Sequence, residues 1–372
     1  MKIKTTLFIV AFLTILPVTV AYSWNDSTPL IIDHTCTDLS QIPDEWIDSV
    51  QTNMKMYYVH TSHGGQLTDG LETLELDNFK YSVAIGNETL PTEEGAFCVH
   101  DKIGDPKDYW YGDEWKNGPD ITRQVLNNNP DLNVSIFCWC THMNYESEGY
   151  VQEYLDSVSM LEDEFPNVTF VYMTGNANAN GERGYNRYLR NNQMRQYCIE
   201  NNRVLFDFAD IDCWWFNPST QEWEFGSYEY GGYTIPMQHL QFQGDECGHA
   251  SYESCIQKAR AVWWMMAKLA GCTELGLEES VDEIIFGEPS FYVYTNPLTN
   301  TATIAYELPT AAWVSIQIYN GSGQLVNELC QRKQSRGYHQ IIWKRKNLPN
   351  GVYFCQLRAD KYTKTKKVVF IK

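Results

Sequence analysis

The stretch Tyr57–Leu71, YYVHTSHGGQLTDGL, carries an apolar run into His60-Thr61-Ser62-His63-Gly64-Gly65 and then takes up helical spacing. A serine at a strand-to-helix turn can serve as a nucleophile. Backbone N–H groups at the helix start stabilise a developing oxyanion, and the glycines let a carbonyl approach. Alone, such a serine is usually a turn or cap residue, so partners decide the matter. His249 lies in QGDECGHASYESC, directly before a long helical pattern. An imidazole there can take the proton of Ser62, and Asp245 or Glu246 can orient it. Two further loops offer oxyanion donors. Gly118, in YGDEWKNGPDITRQVL, can lend a backbone N–H, and Asn144, in CTHMNYESEG after the run VSIFCWC, can lend a side-chain amide.

Other residues compete for a role. Cys138, Cys140 and His142 alternate along one apparent strand, which places them on one face. Soft ligands on one face can hold a metal, with Asp207, Asp210 or Asp212 nearby. Spacing this tight strains a shared tetrahedral site, so the expectation is cysteines in disulfides, no metal and no cofactor. The three carboxylates of FDFADIDCWW fit loop solvation and helix capping. The segment CWWFNPSTQEWEFGSYEYGGYTIP is dense in aromatics and glycine. It suits either a sugar-stacking wall or an insert packed on its own domain.

These residues need elements to position them. Strand-like runs at 55–60, 81–85, 134–140, 168–173 and 204–208 alternate with helical patterns at 67–76, 121–128, 151–164, 186–201 and 251–270. Such alternation predicts an α/β layered domain with a mostly parallel sheet, whose sites gather at the carboxyl ends of its strands. From Phe291 onward the texture changes to short alternating runs separated by Asn296-Pro297, Asn320-Gly321-Ser322-Gly323 and Leu348-Pro349-Asn350-Gly351, which predicts a small β-sandwich. Charge divides at the same place. Residues 291–372 hold 12 basic and 3 acidic residues, a net of +9, whereas the remainder nets −28. The acidic part repels phosphates and sulfates, so nucleic acid is excluded as its partner.

The chain opens with MKIKTTLFIVAFLTILPVTVA, a basic start and a short apolar run broken by Thr14 and Pro17. That pattern predicts a cleaved export signal over residues 1–21 and no transmembrane anchor. The chain carries 11 cysteines, which suits an oxidising compartment. Cys247 with Cys255 is the pairing expected locally, since it closes a short loop around His249.

Two resemblances follow from these motifs. The last part resembles the C-terminal sorting domain of the type IX secretion system. The match rests on Tyr294, Asn296 and Pro297, the IYNGSGQLV hairpin, Gly337, Trp343, LPNGVYFCQL and a Lys-rich final strand. It implies the type IX secretion machinery as partner, and a product that is secreted or fixed at the cell surface. The serine turn, glycine loop, asparagine loop and acid-plus-histidine loop, in that order, resemble the SGNH or GDSL-like hydrolases. That resemblance implies a three-layer, flavodoxin-like domain with Ser62 as nucleophile, Gly118 and Asn144 in the oxyanion hole, and His249 as base. Glu246 occupies the family's position for the acid, three residues before the histidine, and Asp245 lies one further back. The family's Gly-Asp before the serine is His60-Thr61 here, and its Gly-x-Asn-Asp block is THMNYE. The resulting expectation is a signal (1–21), an SGNH-like domain (24–275), a linker (276–290) and a sorting sandwich (291–372). Its function would be deacylation of an extracellular ester, such as an acylated glycan. The alternative is a non-catalytic, secreted SGNH-like binding protein.

Overall fold

The computed structural model describes residues 24, 28–104, 117–273 and 275, and then 290–296, 301–308, 312–334, 337–344, 348–360 and 362–370. The leader expected over 1–21 and, apart from Ser290, the linker expected over 276–290 lie outside the described residues.

Seven parallel strands form one sheet: β1 (Leu30–Ile32), β2 (Lys55–His60), β3 (Val83–Asn87), β4 (Phe97–Ile103), β5 (Val134–Phe137), β6 (Thr169–Met173) and β7 (Val204–Phe206). Their order is β1-β7-β6-β5-β2-β4-β3. The helices are α1 (Asp44–Asn53), α2 (Gly65–Asp77), α3 (Asn117–Asn128), α4 (Glu148–Glu164), α5 (Gly181–Glu200), the short α6 (Phe208–Cys213) and α7 (Tyr252–Leu269). The central strands are buried on both faces, which is why they read as continuous apolar runs. Successive side chains of a strand point to opposite faces. Met56 and Tyr58 of β2 therefore join one core with Ile47 of α1, Leu71 of α2 and Trp263 of α7. Tyr57 and Val59 join a second core with Leu155 of α4 and Met194 of α5.

The strand expected over 134–140 ends at Phe137, so Cys138, Cys140 and His142 are not successive residues of one strand face. Cys138 enters the first core beside Tyr58, and the chain turns at Thr141–Asn144 into a 3-10 helix. Strand β4, FCVHDKI, has no counterpart in the sequence reading because His100 and Asp101 interrupt its apolar run. Both are buried. His60 Nε2 stands 2.9 Å from Asp101 Oδ1, and the His100 ring meets Tyr57 edge-on at 5.2 Å.

The aromatic insert forms two hairpins, β8 (Trp214–Asn217) with β9 (Glu222–Phe225), and β10 (Ser227–Tyr230) with β11 (Tyr233–Pro236). The last part is antiparallel throughout. One sheet orders β12 (Ser290–Asn296), β13 (Thr301–Leu308) and β16 (Gly337–Lys344). The other orders β15 (Leu325–Gln334), β14 (Ala312–Asn320), β17 (Gly351–Ala359) and β18 (Tyr362–Phe370). Ile304, Tyr306 and Trp343 of the first sheet share one core with Val314, Ile316 and Leu357 of the second, as a sandwich requires.

Helix α7 is buried along most of its length because it packs against α1, α2 and the sheet in the first core. The backbones of α2 and α7 come close at Gly70, where a Cβ would meet the Cys255 carbonyl oxygen at 2.1 Å. Gly70→Ala gains about 1 kcal/mol of helix propensity but overpacks this crossing, at about 1–3 kcal/mol. Thermal unfolding should show a net loss of stability. Gly149→Ala, on an exposed turn of α4 with no neighbour nearer than 4.0 Å, should instead be neutral or slightly stabilising.

Candidate active site

Strand β2 pairs with β4 on one side and β5 on the other. The chain leaves β2 toward β3 and β4, and crosses to the opposite side only at β5. The loops after β2 and β5 therefore diverge, and a crevice opens at this switch point. Ser62 begins the 3-10 turn Ser62–Gly64 that follows β2 and leads into α2. Tyr58 Oη donates to the Gly64 carbonyl at 2.9 Å, which folds that turn back over the strand. On the other wall, the Cys138 N–H donates to the Val59 carbonyl at 2.9 Å, and Cys140 immediately precedes the next 3-10 turn.

Across the crevice, His63 Nδ1 lies 3.1 Å from Cys140 Sγ. The other ring nitrogen, Nε2, lies 2.7 Å from the side-chain amide of Asn178, which stands in the loop between β6 and α5. Ser62 Oγ is 3.8 Å from the same sulfur. His63 and Cys140 are 6 % and 8 % exposed, whereas Ser62 is exposed. Burial pushes the Cys140 thiol up, but the hydrogen bond from His63, helped by Thr61, the His63 charge and the Thr141 amide, outweighs it and holds the group at about 5. Burial drives other free thiols the opposite way. Cys138 is pushed up to about 12, and Cys36, Cys198 and Cys213 also rise.

The loop carrying His249 docks on the same turn. Gln66 Nε2 donates to the Gly248 carbonyl at 2.8 Å, and a disulfide joins Cys247 to Cys255 around His249. The His249 ring lies 4.9 Å from the His63 ring, centroid to centroid. His249 Nδ1 is 3.2 Å from Asp245 Oδ1. Glu246 faces elsewhere, accepting the Tyr252 N–H at 2.8 Å at the start of α7. Ser62 makes no hydrogen bond to His249. Asn144 is 7 % exposed, and its Oδ1 is buried without a hydrogen-bond partner. Gly118 is buried in the first turn of α3.

Sequence reasoning missed His63 and Asn178, and expected Cys140 in a disulfide, with a metal ligand as the competing role, whereas Cys138 and Cys140 are both free. His63 stands in the same motif as Ser62, so its signal was present. Asn178, one of several polar residues in TGNANANG, carries none.

The carboxylates of FDFADIDCWW anchor structure. Asp207 accepts the Asp210 N–H at the start of α6 and pairs with Arg195 at 2.6 Å. Asp212 pairs with Lys258 at 2.7 Å, both fully buried. Among the described residues, the group whose ligand atoms converge is Asp33, His34 and Asp210, not the cysteine set. Its donors are engaged: the His34 N–H and ring hold Asp210, and Thr35 holds Asp33. The aromatic hairpins pack in part on their own domain. Trp214 stacks on His34 at 4.8 Å, and Tyr228 Oη donates to the Gly181 carbonyl just past the Asn178 loop. Phe216 and Phe225 remain exposed.

Comparison with known proteins decides the last part of the chain. Residues 292–372 match the family described as the secretion system C-terminal sorting domain. They are a type IX secretion sorting domain. The sorting domain marks the protein for the cell surface or for secretion, and no helix among the described residues is long and apolar enough to cross a membrane. No curated protein matches the chain. Among solved structures, similarity extends to PorZ, a surface component of the type IX secretion system of Porphyromonas gingivalis. The identity is 23 %, the coverage 22 % of this chain and 12 % of PorZ, and the TM-score 0.17. FlgD of P. aeruginosa matches at 21 % identity over 22 % of this chain and 67 % of its own, with TM-score 0.16. An endo-β-1,4-mannanase of Thermotoga petrophila matches at 9 % identity over 88 % and 70 %, with TM-score 0.31. These scores are too low to show a shared fold across the chain, which spans about an eighth of PorZ.

Two predictions follow from the geometry. In the folded protein the Cys140 thiol sits at about 5, below its ordinary 9.0. A lowered acid is stabilising above its unfolded value, and that contribution is lost as pH falls toward 5. Thiolate ultraviolet absorbance should therefore titrate with a midpoint about 5, disappear in Cys140→Ser, and move up in His63→Ala. Gly248 has φ +51, and a Cβ there would meet the Gln66 backbone nitrogen at 2.7 Å. Gly248→Ala should lower the melting temperature by several degrees and raise the proton-exchange rate of the His249 loop.

Proposed function

We propose that the protein is an exported acyl hydrolase on an SGNH-like scaffold, acting on an ester in the crevice between β2 and β5. The observation that carries the reading is the convergence there of an exposed hydroxyl (Ser62), a thiol 3.8 Å from it (Cys140) and an imidazole 3.1 Å from the thiol (His63). Side-chain nucleophiles beside an imidazole suit acyl transfer through a tetrahedral intermediate, followed by hydrolysis of the acyl-enzyme. The side-chain N–H of Asn144 and the first-turn N–H of Gly118 are the candidate oxyanion donors. His249, braced by Asp245, is the second imidazole at the crevice and can exchange protons with a nucleophile, leaving group or water.

The −28 charge of the part outside the sorting domain disfavours polyanionic substrates, and Phe216 and Phe225 offer exposed rings on which a sugar can stack. An acylated, uncharged glycan fits both features. A second reading, a binding protein on the same scaffold, is favoured by the missing hydrogen bond between Ser62 and His249.

The test is hydrolysis of aryl acetates and acetylated glycans by the purified full chain. Turnover should fall about 10²-fold or more in His249→Ala if that imidazole moves a proton. No turnover on any ester, together with retention on a glycan array, would establish the binding reading instead.

A further inference from the structure

The structure assigns the nucleophile to Cys140 rather than Ser62, with His63 as its acid–base partner and Asn178 as the residue that positions His63. This assignment rests on the acyl-hydrolase reading above and names the reacting atom within it.

Geometry separates the two candidates. A nucleophile must touch its base, and the base must be held by a third group. Cys140 Sγ meets that condition, being 3.1 Å from His63 Nδ1, whose far nitrogen is 2.7 Å from Asn178. Ser62 Oγ does not, since its hydrogen-bond contact is the sulfur itself at 3.8 Å. The histidine immediately after Ser62 therefore faces the thiol across the crevice, and the His249 ring packs against that histidine. The two faces of the Asn178 amide exchange by rotation, so its oxygen can accept from Nε2–H when the imidazole is charged. A thiolate–imidazolium pair of this kind is reactive at neutral pH without further deprotonation. The lowered pKa of Cys140, against the raised value of its neighbour Cys138, agrees with that pair.

The chemistry balances with water as the only co-reactant. The thiolate attacks the ester carbonyl, forming a C–S bond and placing the electron pair on oxygen. Collapse breaks the C–O bond, and the alcohol leaves with the proton of the His63 imidazolium. Neutral His63 then takes a proton from water, the hydroxide adds to the thioester, the C–S bond breaks, and the acid leaves with the thiolate restored. Ser62 is exposed and its hydroxyl lies 3.8 Å from the sulfur, so it would border an ester bound there.

The full chain should be incubated with iodoacetamide at pH 6 and mapped by mass spectrometry, and its ester hydrolysis compared in Cys140→Ala, Ser62→Ala and His63→Ala. We expect alkylation concentrated on Cys140, slowed about 10²-fold in His63→Ala, and hydrolysis abolished in Cys140→Ala. A readout on the unmutated protein guards against variants that fail to fold. Acid quench during turnover should leave the acyl mass on the peptide containing Cys140, and neutral hydroxylamine should remove it. Acyl mass on the Ser62 peptide, or hydrolysis kept in Cys140→Ala and lost in Ser62→Ala, overturns the assignment and leaves the hydrolase reading standing. No hydrolysis by the folded wild type overturns that reading and the assignment with it.

Discussion

Strand β2 is hydrogen-bonded on both sides, and everything at the candidate site depends on that. A doubly paired strand cannot bend aside at its end, so its last residues must leave the sheet along the strand axis. The parallel neighbour β5 leaves in the same direction, while the connections run to opposite sides. The result is a cleft whose walls are fixed by main-chain bonding and not by loop packing. Residues 62–63 and 138–140 face each other because the register pairs Val59 with Phe137 and with the N–H of Cys138. Side chains 77 positions apart in the chain, His63 and Cys140, are brought onto facing loops by that register, and the Tyr58–Gly64 bond and Asn178 set the final contact.

The carboxyl edge of the sheet is also where this protein buries charge. Arg195 with Asp207 and Lys258 with Asp212 each place an ion pair beneath the loops, and His60 meets Asp101 there at 2.9 Å. Burying two charges costs nearly as much as their attraction returns, so such pairs add little net stability. Breaking one leaves an unpaired buried charge, at about 3–5 kcal/mol. The pairs therefore act less as glue than as a penalty on any other loop arrangement. Asp207 illustrates the point: it holds Arg195 of α5, the Thr174 hydroxyl after β6 and the Asp210 N–H in the first turn of α6 at once. The loop that contains Asn178 is tied in the same way, through Ala177 N–H to Asp212.

Local pattern made much of the α/β layer legible in the sequence. Short apolar runs located β2, β6 and β7, and helical spacing located α4, α5 and α7, although the buried face of α5 carries Arg187, Arg190 and Asn191 beside Met194 and Cys198. Pattern failed where tertiary partners satisfy polar residues. In FCVHDKI, His100 and Asp101 are affordable inside β4 only because Tyr57 and His60 wait on the neighbouring strand. In VSIFCWC the apolar run outlasts the strand by three residues, so a turn looked like a continuing face. That reading put Cys138 and Cys140 on one face as a candidate ligand pair, set aside for disulfides, whereas both are free, one entering the core and the other facing His63. The disulfide loop was legible because a short ring needs only local spacing. The contact of His63 with Cys140 was not, because nothing local encodes which loop the sheet will set opposite.

Cysteine usage ties the site to the export route. Among the described residues nine cysteines are free, and all are buried. A protein routed by a sorting domain to the cell surface meets oxidising surroundings, where a free thiol survives by being protonated and inaccessible. Burial achieves that for Cys36, Cys138, Cys198 and Cys213, whose thiols are pushed up. Cys140 departs from these four, since the hydrogen bond from His63 outweighs burial and lowers it, and its sulfur lies 3.8 Å from the exposed Ser62 hydroxyl. Core packing does not require a buried imidazole at that place, because an apolar side chain could fill the gap without the cost of burying polar atoms. A buried thiol lowered to about 5 is more open to oxidation than one that burial pushes up, so the fold keeps its less durable sulfur beside His63. The reacting role proposed above would account for that cost.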